Sequence, residues 1–228
     1  MTAIAEHLAA VQMRIRLAAE RAGRDPASVR LVAVSKTRPA QEIEAAFQAG
    51  QRVFGENYVQ ELATKTQAVM SPVTWHFIGH LQSNKAKYLA GAVSLIHSVD
   101  RLSLAEEISR QWGRLGLCCD LLVQVNVAQE ATKSGASTEQ ALTLVRQVAQ
   151  LPHLQVRGLM TMPPFFDDPE GARPFFRQLR LLAEQIRAAE IPGVAMDELS
   201  MGMSGDFEVA VEEGATLVRV GTAIFGAR

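Results

Sequence analysis

Cysteine is nearly absent from these 228 residues, and the two present, Cys118 and Cys119, are adjacent. Neighbours on a strand point to opposite faces, so this pair cannot form an ordinary loop-closing disulfide and reads as packing residues of a reduced compartment. No apolar run reaches the roughly 18 residues of a membrane span, and the N-terminus shows no basic start leading into an apolar core. Charge of one sign is missing too. With 24 acidic and 23 basic side chains the formal charge is −1, which leaves no surplus of Lys and Arg to displace counterions from nucleic-acid phosphates. A hydrophobic fraction of 48% excludes disorder and collagen, and a chain of this length can bury a sizeable core without staples. The expectation is a cytoplasmic protein that engages neither membrane nor nucleic acid and takes a small molecule as its partner.

What is present is a repeated alternation of strand and helix. Ile4, Leu8, Val11 and Ile15 fall at helical spacing between charged residues, which predicts an amphipathic helix over about 2–22, stopped by Gly23. The β-branched run from Leu31 to Ser35 then leads into a helical pattern with Ile43, Ala46 and Phe47 on one face. The same pairing recurs from Arg52, Thr74, Val93, Asp120, Leu154, Glu198 and Thr216, which makes eight strands. Strand starts run from residue 31 to residue 216, an average interval of about 26 residues, close to one unit of a (β/α)8 barrel. The fold class is therefore α/β, a TIM barrel with an extra N-terminal helix. One domain is expected over 1–228, with the barrel at about 30–226. An open doubly wound sheet is the alternative. A dinucleotide-binding version of it needs Gly-x-Gly-x-x-Gly after the first strand, where this chain has Ser35-Lys36-Thr37-Arg38-Pro39.

Active sites of such barrels lie at the C-terminal ends of the strands. There Lys36 follows an apolar strand directly, so its stem would rise from the core with the amine at the mouth, either as an ordinary loop lysine or as a Schiff-base amine. Ser200-Met-Gly-Met-Ser-Gly-Asp206 follows strand seven, and Arg219-Val-Gly-Thr222 ends strand eight. Gly202, Gly205 and Gly221 allow close backbone approach, and Ser200, Ser204 and Thr222 add hydroxyl donors, as an anion such as phosphate requires. Strands one and eight are neighbours in a closed barrel. A phosphate cradle beside a Schiff-base lysine suits pyridoxal 5'-phosphate, with Arg219 beneath the pyridine ring.

Other signals are weaker. His76 and His80 have i, i+4 spacing, but no Glu follows His76 and the segment reads as a strand end, against a zinc site. Gly202-Met-Ser-Gly-Asp206 misses the nucleophile elbow because Asp206 replaces its last glycine. Lys85 and Lys87 read as a solvated helix face, and Lys133 as the same or as a second amine near the mouth.

Five ordered segments, Val34-Ser-Lys-Thr37, Phe54-Gly-Glu-Asn-Tyr-Val-Gln-Glu61, Trp75 to Lys85, Leu199 to Ser204 and Val218 to Gly226, closely resemble the pyridoxal phosphate homeostasis protein family, also called YggS or PROSC. The resemblance spans essentially the whole chain. It implies the barrel of alanine racemase, fold type III among pyridoxal phosphate proteins, with Lys36 carrying the cofactor as a Schiff base and Asn57 beside it. It further implies that Ser200, Ser204, Gly221 and Thr222 hold the phosphate and that Arg219 lies near the ring. The implied function is binding of the cofactor, its delivery to apoenzymes that need it, and maintenance of vitamin B6 balance. An amino-acid racemase is the competing class. Racemases carry a second base on an additional β domain that has no counterpart here, so no catalytic residue is assigned, and a monomer is expected.

Overall fold

The structure, a computed structural model, describes residues 2–130 and 134–227. Helix α1 (Ala3–Arg21) precedes the first of eight strands: β1 (Arg30–Val34), β2 (Val53–Glu56), β3 (Thr74–Phe77), β4 (Leu95–Val99), β5 (Cys119–Gln124), β6 (Leu154–Met160), β7 (Val194–Ser200) and β8 (Leu217–Val220). Every adjacent pair is parallel, and β1 pairs with β8, so the sheet closes into a barrel in chain order. The connecting helices are α2 (Ala40–Gln48), α3 (Val59–Ala68), α4 (Leu102–Gly113), α5 (Thr138–Val148), α6 (Arg173–Ala188), α7 (Phe207–Glu212) and α8 (Thr222–Phe225). This is the expected α/β barrel, and no helix among the described residues is long and apolar enough to cross a membrane.

Two local expectations change. The connection after β3 is a 3-10 helix over Ser83–Tyr88 in place of an α-helix, because only a short run separates the buried Leu81 from Gly91, whose φ of +75° ends it. Strand β7 begins at Val194, four residues before the expected Glu198, as soon as Gly193 has turned the chain. Helix α6 starts at Arg173 after a 3-10 turn over Pro169–Ala172, with Pro174 in its first turn, where the missing N–H costs nothing.

The core has two layers. The larger fills the space between barrel and helices and includes Leu8, Val11 and Ile15 of α1, which packs on α2, α7 and α8. The ion pair of Arg14 with Glu208, at 2.7 Å, fastens α1 to α7. Inside the barrel, Val32, Leu95, Leu122, Met160 and Leu217 form a smaller apolar cluster. Side chains alternate along a strand, so the same inward face one step further on carries Val34 on β1, His97 on β4 and Arg219 on β8. An apolar floor thus supports a polar layer, and the mouth lies above both.

The strand that must deliver Ser200 to this layer is re-aimed by an irregularity. Val156 pairs with Val194 but Gly158 with Glu198, so β7 spends two more residues than β6 over that step. Gly158 makes this possible, since a Cβ there would stand 1.8 Å from the Glu198 carbonyl oxygen. Gly158→Ala is expected to cost about 1–3 kcal/mol of unfolding free energy, measured by urea titration, and an unchanged midpoint would contradict the close approach.

Candidate functional site

The C-terminal ends of the strands surround a cavity of about 390 Å³, within the usual range for small-molecule sites. Lys36, Asn57, Ser204, Arg219, Gly221 and Thr222, six of the seven residues singled out from the sequence, lie on its wall. Lys36 occupies the turn immediately after β1, and Asn57 follows the last residue of β2. The Oδ1 atom of Asn57 is buried without a hydrogen-bond partner. Gly79 lets this end of β2 and the end of β3 approach, because a Cβ there would meet the Asn57 carbonyl oxygen at 2.2 Å.

The opposite segment is shaped by glycine in two ways. Gly202 has φ +90°, and a Cβ on it would come within 2.6 Å of the Ala210 Cβ. Gly221 lies so close to β1 that a Cβ would sit 3.2 Å from the Val34 carbonyl oxygen. Between them the Ser204 hydroxyl accepts the Gly221 N–H at 3.3 Å and the Ala223 N–H at 3.5 Å, so the two loops meet at one hydroxyl. The Asp206 carboxylate accepts the Met203 N–H at 2.6 Å and is pushed above its ordinary pKa by burial, against the pull of that N–H and of Arg219. Met162, Phe165 and Phe166, from the loop after β6, supply an apolar wall.

Ser200 is the exception among the seven. It is fully buried at the end of β7, and its hydroxyl is committed inward, to Arg219 Nη1 and to His97 Nδ1 at 2.8 Å. It therefore braces Arg219 from below the cavity wall. His97 Nε2 in turn lies 3.0 Å from His76 Nδ1. The order of donors follows from Arg219, which can only donate. Ser200 accepts from it, and with His97 as its other partner the hydroxyl proton is satisfied when it goes to His97 Nδ1; in that tautomer His97 carries its proton on Nε2 and donates to His76. Each ring is thereby held neutral, in agreement with burial, which lowers His76 to about 3 and His97 well below its ordinary value. Arg219 completes its partners with the Thr161 carbonyl oxygen at 2.9 Å. Burial lowers it to about 10, so it stays charged at neutral pH.

Beside this layer a second buried cluster, Glu56, Lys65 and Ser35, underlies the Lys36 turn. Neither cluster was singled out from the sequence. His76, read there only as a weak metal ligand, pairs with His97, while His80 is exposed and contacts Ser134 at 3.2 Å. No group of three metal-ligating side chains occurs among the described residues. Lys133 lies outside the described residues.

The family model of the alanine racemase N-terminal domain matches residues 7–228. A pyridoxal phosphate homeostasis protein of Aquifex aeolicus is 47% identical over 98% of this chain and 97% of its own length. The chain belongs to the pyridoxal phosphate homeostasis protein family. Among solved structures, PipY of Synechococcus elongatus, determined with pyridoxal phosphate bound, superposes with a TM-score of 0.84 at 40% identity, over 98% of this chain and all of that one. An alanine racemase of Clostridium difficile superposes with a TM-score of 0.74 at 12% identity, over 94% of this chain and 55% of its own, and shares the fold alone. The resemblance drawn from the five sequence segments thus agrees with relatives matched over the full chain, and the barrel is common to homeostasis proteins and racemases.

The neutral histidines set an acid limit on stability. Below pH 6.5 the unfolded chain takes up a proton at each, whereas folded His76 accepts none until about pH 3. Their contribution is therefore complete above pH 6.5 and is lost as pH falls through that window, with a slope of up to about 1.4 kcal/mol per pH unit for each ring. Urea titrations at successive pH values should show this decline, and His76→Gln should make it shallower. Stability that stays level below pH 6.5 would contradict the neutral pair.

Proposed function

We propose that this chain binds pyridoxal 5'-phosphate at the barrel mouth and serves intracellular vitamin B6 homeostasis as a carrier of the cofactor. The observation that carries this reading is that one cavity of about 390 Å³ joins an amine, a carboxamide, a buried guanidinium and a glycine–hydroxyl turn, contributed by β1, β2, β8 and the loop after β7. The residues fit the group. The orphaned Asn57 Oδ1 awaits a donor, and the close packing that only glycine permits at 202 and 221 brings the two loops together at the Ser204 hydroxyl. Support comes also from the relatives named as homeostasis proteins and from PipY.

When bound, the cofactor supplies an aldehyde that condenses with a lysine amine. Lys36 is the amine on the wall and is assigned that part. Ser204, Gly221 and Thr222 are assigned the phosphate, where hydroxyl and backbone donors meet and charge-assisted hydrogen bonds are strong. Asn57 lies on the same wall as Lys36 and is assigned a contact with the cofactor. Arg219, held from below by Ser200 and the Thr161 carbonyl, presents a fixed positive charge to the floor of the site.

That charge argues for carriage over amino-acid turnover, because it opposes the protonation of a ring nitrogen that makes the best electron sink. Apart from Lys36, Asp206 and Arg219, the described lining residues carry no titratable group, so the wall offers few candidates for a second base. Delivery to apoenzymes and a monomeric state belong to the same reading.

Borohydride treatment of the loaded protein should place the reduced cofactor on the Lys36 peptide, and Lys36→Ala should lose the visible band with its far-ultraviolet circular dichroism unchanged. Label on Lys85, Lys87 or Lys133 would overturn the assignment. In equilibrium dialysis, pyridoxal without its phosphate should bind at least about tenfold more weakly, one strong hydrogen bond's equivalent; equal affinities would remove the cradle. Incubation with L-amino acids in deuterium oxide should give slow exchange at Cα and little D-enantiomer. Rapid racemisation that disappears in Lys36→Ala would favour the enzyme.

A further inference from the structure

The turn that presents Lys36 is not a relaxed one. Thr37, the next residue, has φ +63°, a left-handed conformation that is costly for a β-branched side chain. What holds it comes from another helix. Lys65 projects from α3 with its ammonium buried, and its three protons are fully used: on the Ser35 carbonyl oxygen at 2.6 Å, on Glu56 Oε1 at 2.7 Å and on Glu61 Oε1 at 2.7 Å. The Ser35 hydroxyl also donates to Glu56 Oε1, at 2.6 Å, and the Thr37 N–H donates to Glu61 Oε1. The backbone on both sides of Lys36, the carbonyl before it and the amide after it, therefore ends on one ammonium-centred cluster.

A buried ion pair kept only for stability can be exchanged as a whole for apolar residues of similar volume at little loss, whereas removing one partner strands the other charge. The geometry here does more, because the partners of Lys65 are the backbone of the turn and the carboxylate that grips the turn's other side. We propose that Lys65, with Glu56 and Glu61, is a positioning residue for Lys36: the cluster clamps residues 35 and 37 in the strained turn that aims the Lys36 amine into the cavity. The proposal rests on the cofactor reading given above, and it concerns residues that hold the backbone of Ser35 and Thr37 on either side of Lys36 and lie outside the cavity wall.

The test compares wild type, Lys65→Met, Glu61→Ala and the double variant Lys65→Met/Thr37→Gly as full-length proteins. The first readout is the affinity for pyridoxal phosphate and the rate at which its visible band develops. The second, made without cofactor, is hydrogen exchange at the Thr37 amide followed by NMR. Lys65→Met should weaken binding about tenfold, the equilibrium equivalent of the left-handed penalty no longer offset, and should speed exchange at Thr37. The double variant should recover most of the affinity, since glycine adopts this φ freely, and a general loss of stability would not be rescued this way. Should Lys65→Met fail to fold, Glu61→Ala, which removes the acceptor of the Thr37 N–H and leaves Lys65 paired with Glu56, decides the matter by faster Thr37 exchange and weaker binding. Unchanged affinity and unchanged Thr37 protection in the folded single variants, or a deficit that glycine does not repair, overturns the clamp. A wild-type chain that develops no band contradicts the cofactor reading instead, and Thr37 exchange then decides the clamp alone.

Discussion

A guanidinium sealed inside a β-barrel is the constraint around which this molecule is arranged. Arg219 is 4% exposed, and an isolated charge so far from water would be prohibitively costly. Its surroundings are therefore specified. Ser200 and the Thr161 carbonyl accept its protons, Asp206 supplies the nearest opposing charge, and the two histidines behind Ser200 have to stay neutral, since a second positive charge there would be desolvated and repelled. The irregular step between β6 and β7 brings Ser200 opposite both Met160 and Leu217, at the depth where it can meet Arg219.

Reactive groups at the mouth are held by a division of labour between backbone and buried charge. On the β7–β8 side glycine does the work: Gly202 and Gly221 let loops approach to distances a Cβ would forbid, and Ser204 joins them. On the β1–β2 side an ion cluster does it, with Lys65 linking the ends of two strands to α3. Both devices place a rigid wall where a ligand must fit closely, yet one face of the cavity is built from the loop after β6, where Phe165 is 86% exposed.

Sharing a barrel with alanine racemase does not by itself carry racemase chemistry. The racemase matched here is nearly twice as long, with only 55% of it covered, so the common part is the scaffold. Within that scaffold this chain places a buried arginine, held by Ser200 and the Thr161 carbonyl oxygen, at the floor of the cavity.

Alternation of β-branched runs with amphipathic helices, at intervals near one barrel unit, determined the fold from sequence alone, because each strand buries both faces and each helix only one. Position at strand ends likewise determined six residues of the cavity wall, since the barrel gathers those ends whatever lies between them. Tertiary structure decided the rest. Ser200 reads in sequence as one more hydroxyl in a glycine-rich turn, and only the barrel interior shows its bonds to Arg219 and His97. His76 and His97 are 21 residues apart and Glu56 and Lys65 sit on different elements, so no local spacing announces either pair. Such pairings are legible only when the sheet has closed, for hydrogen bonds between inward side chains depend on strand register and stagger, which the local pattern of polar and apolar residues does not encode.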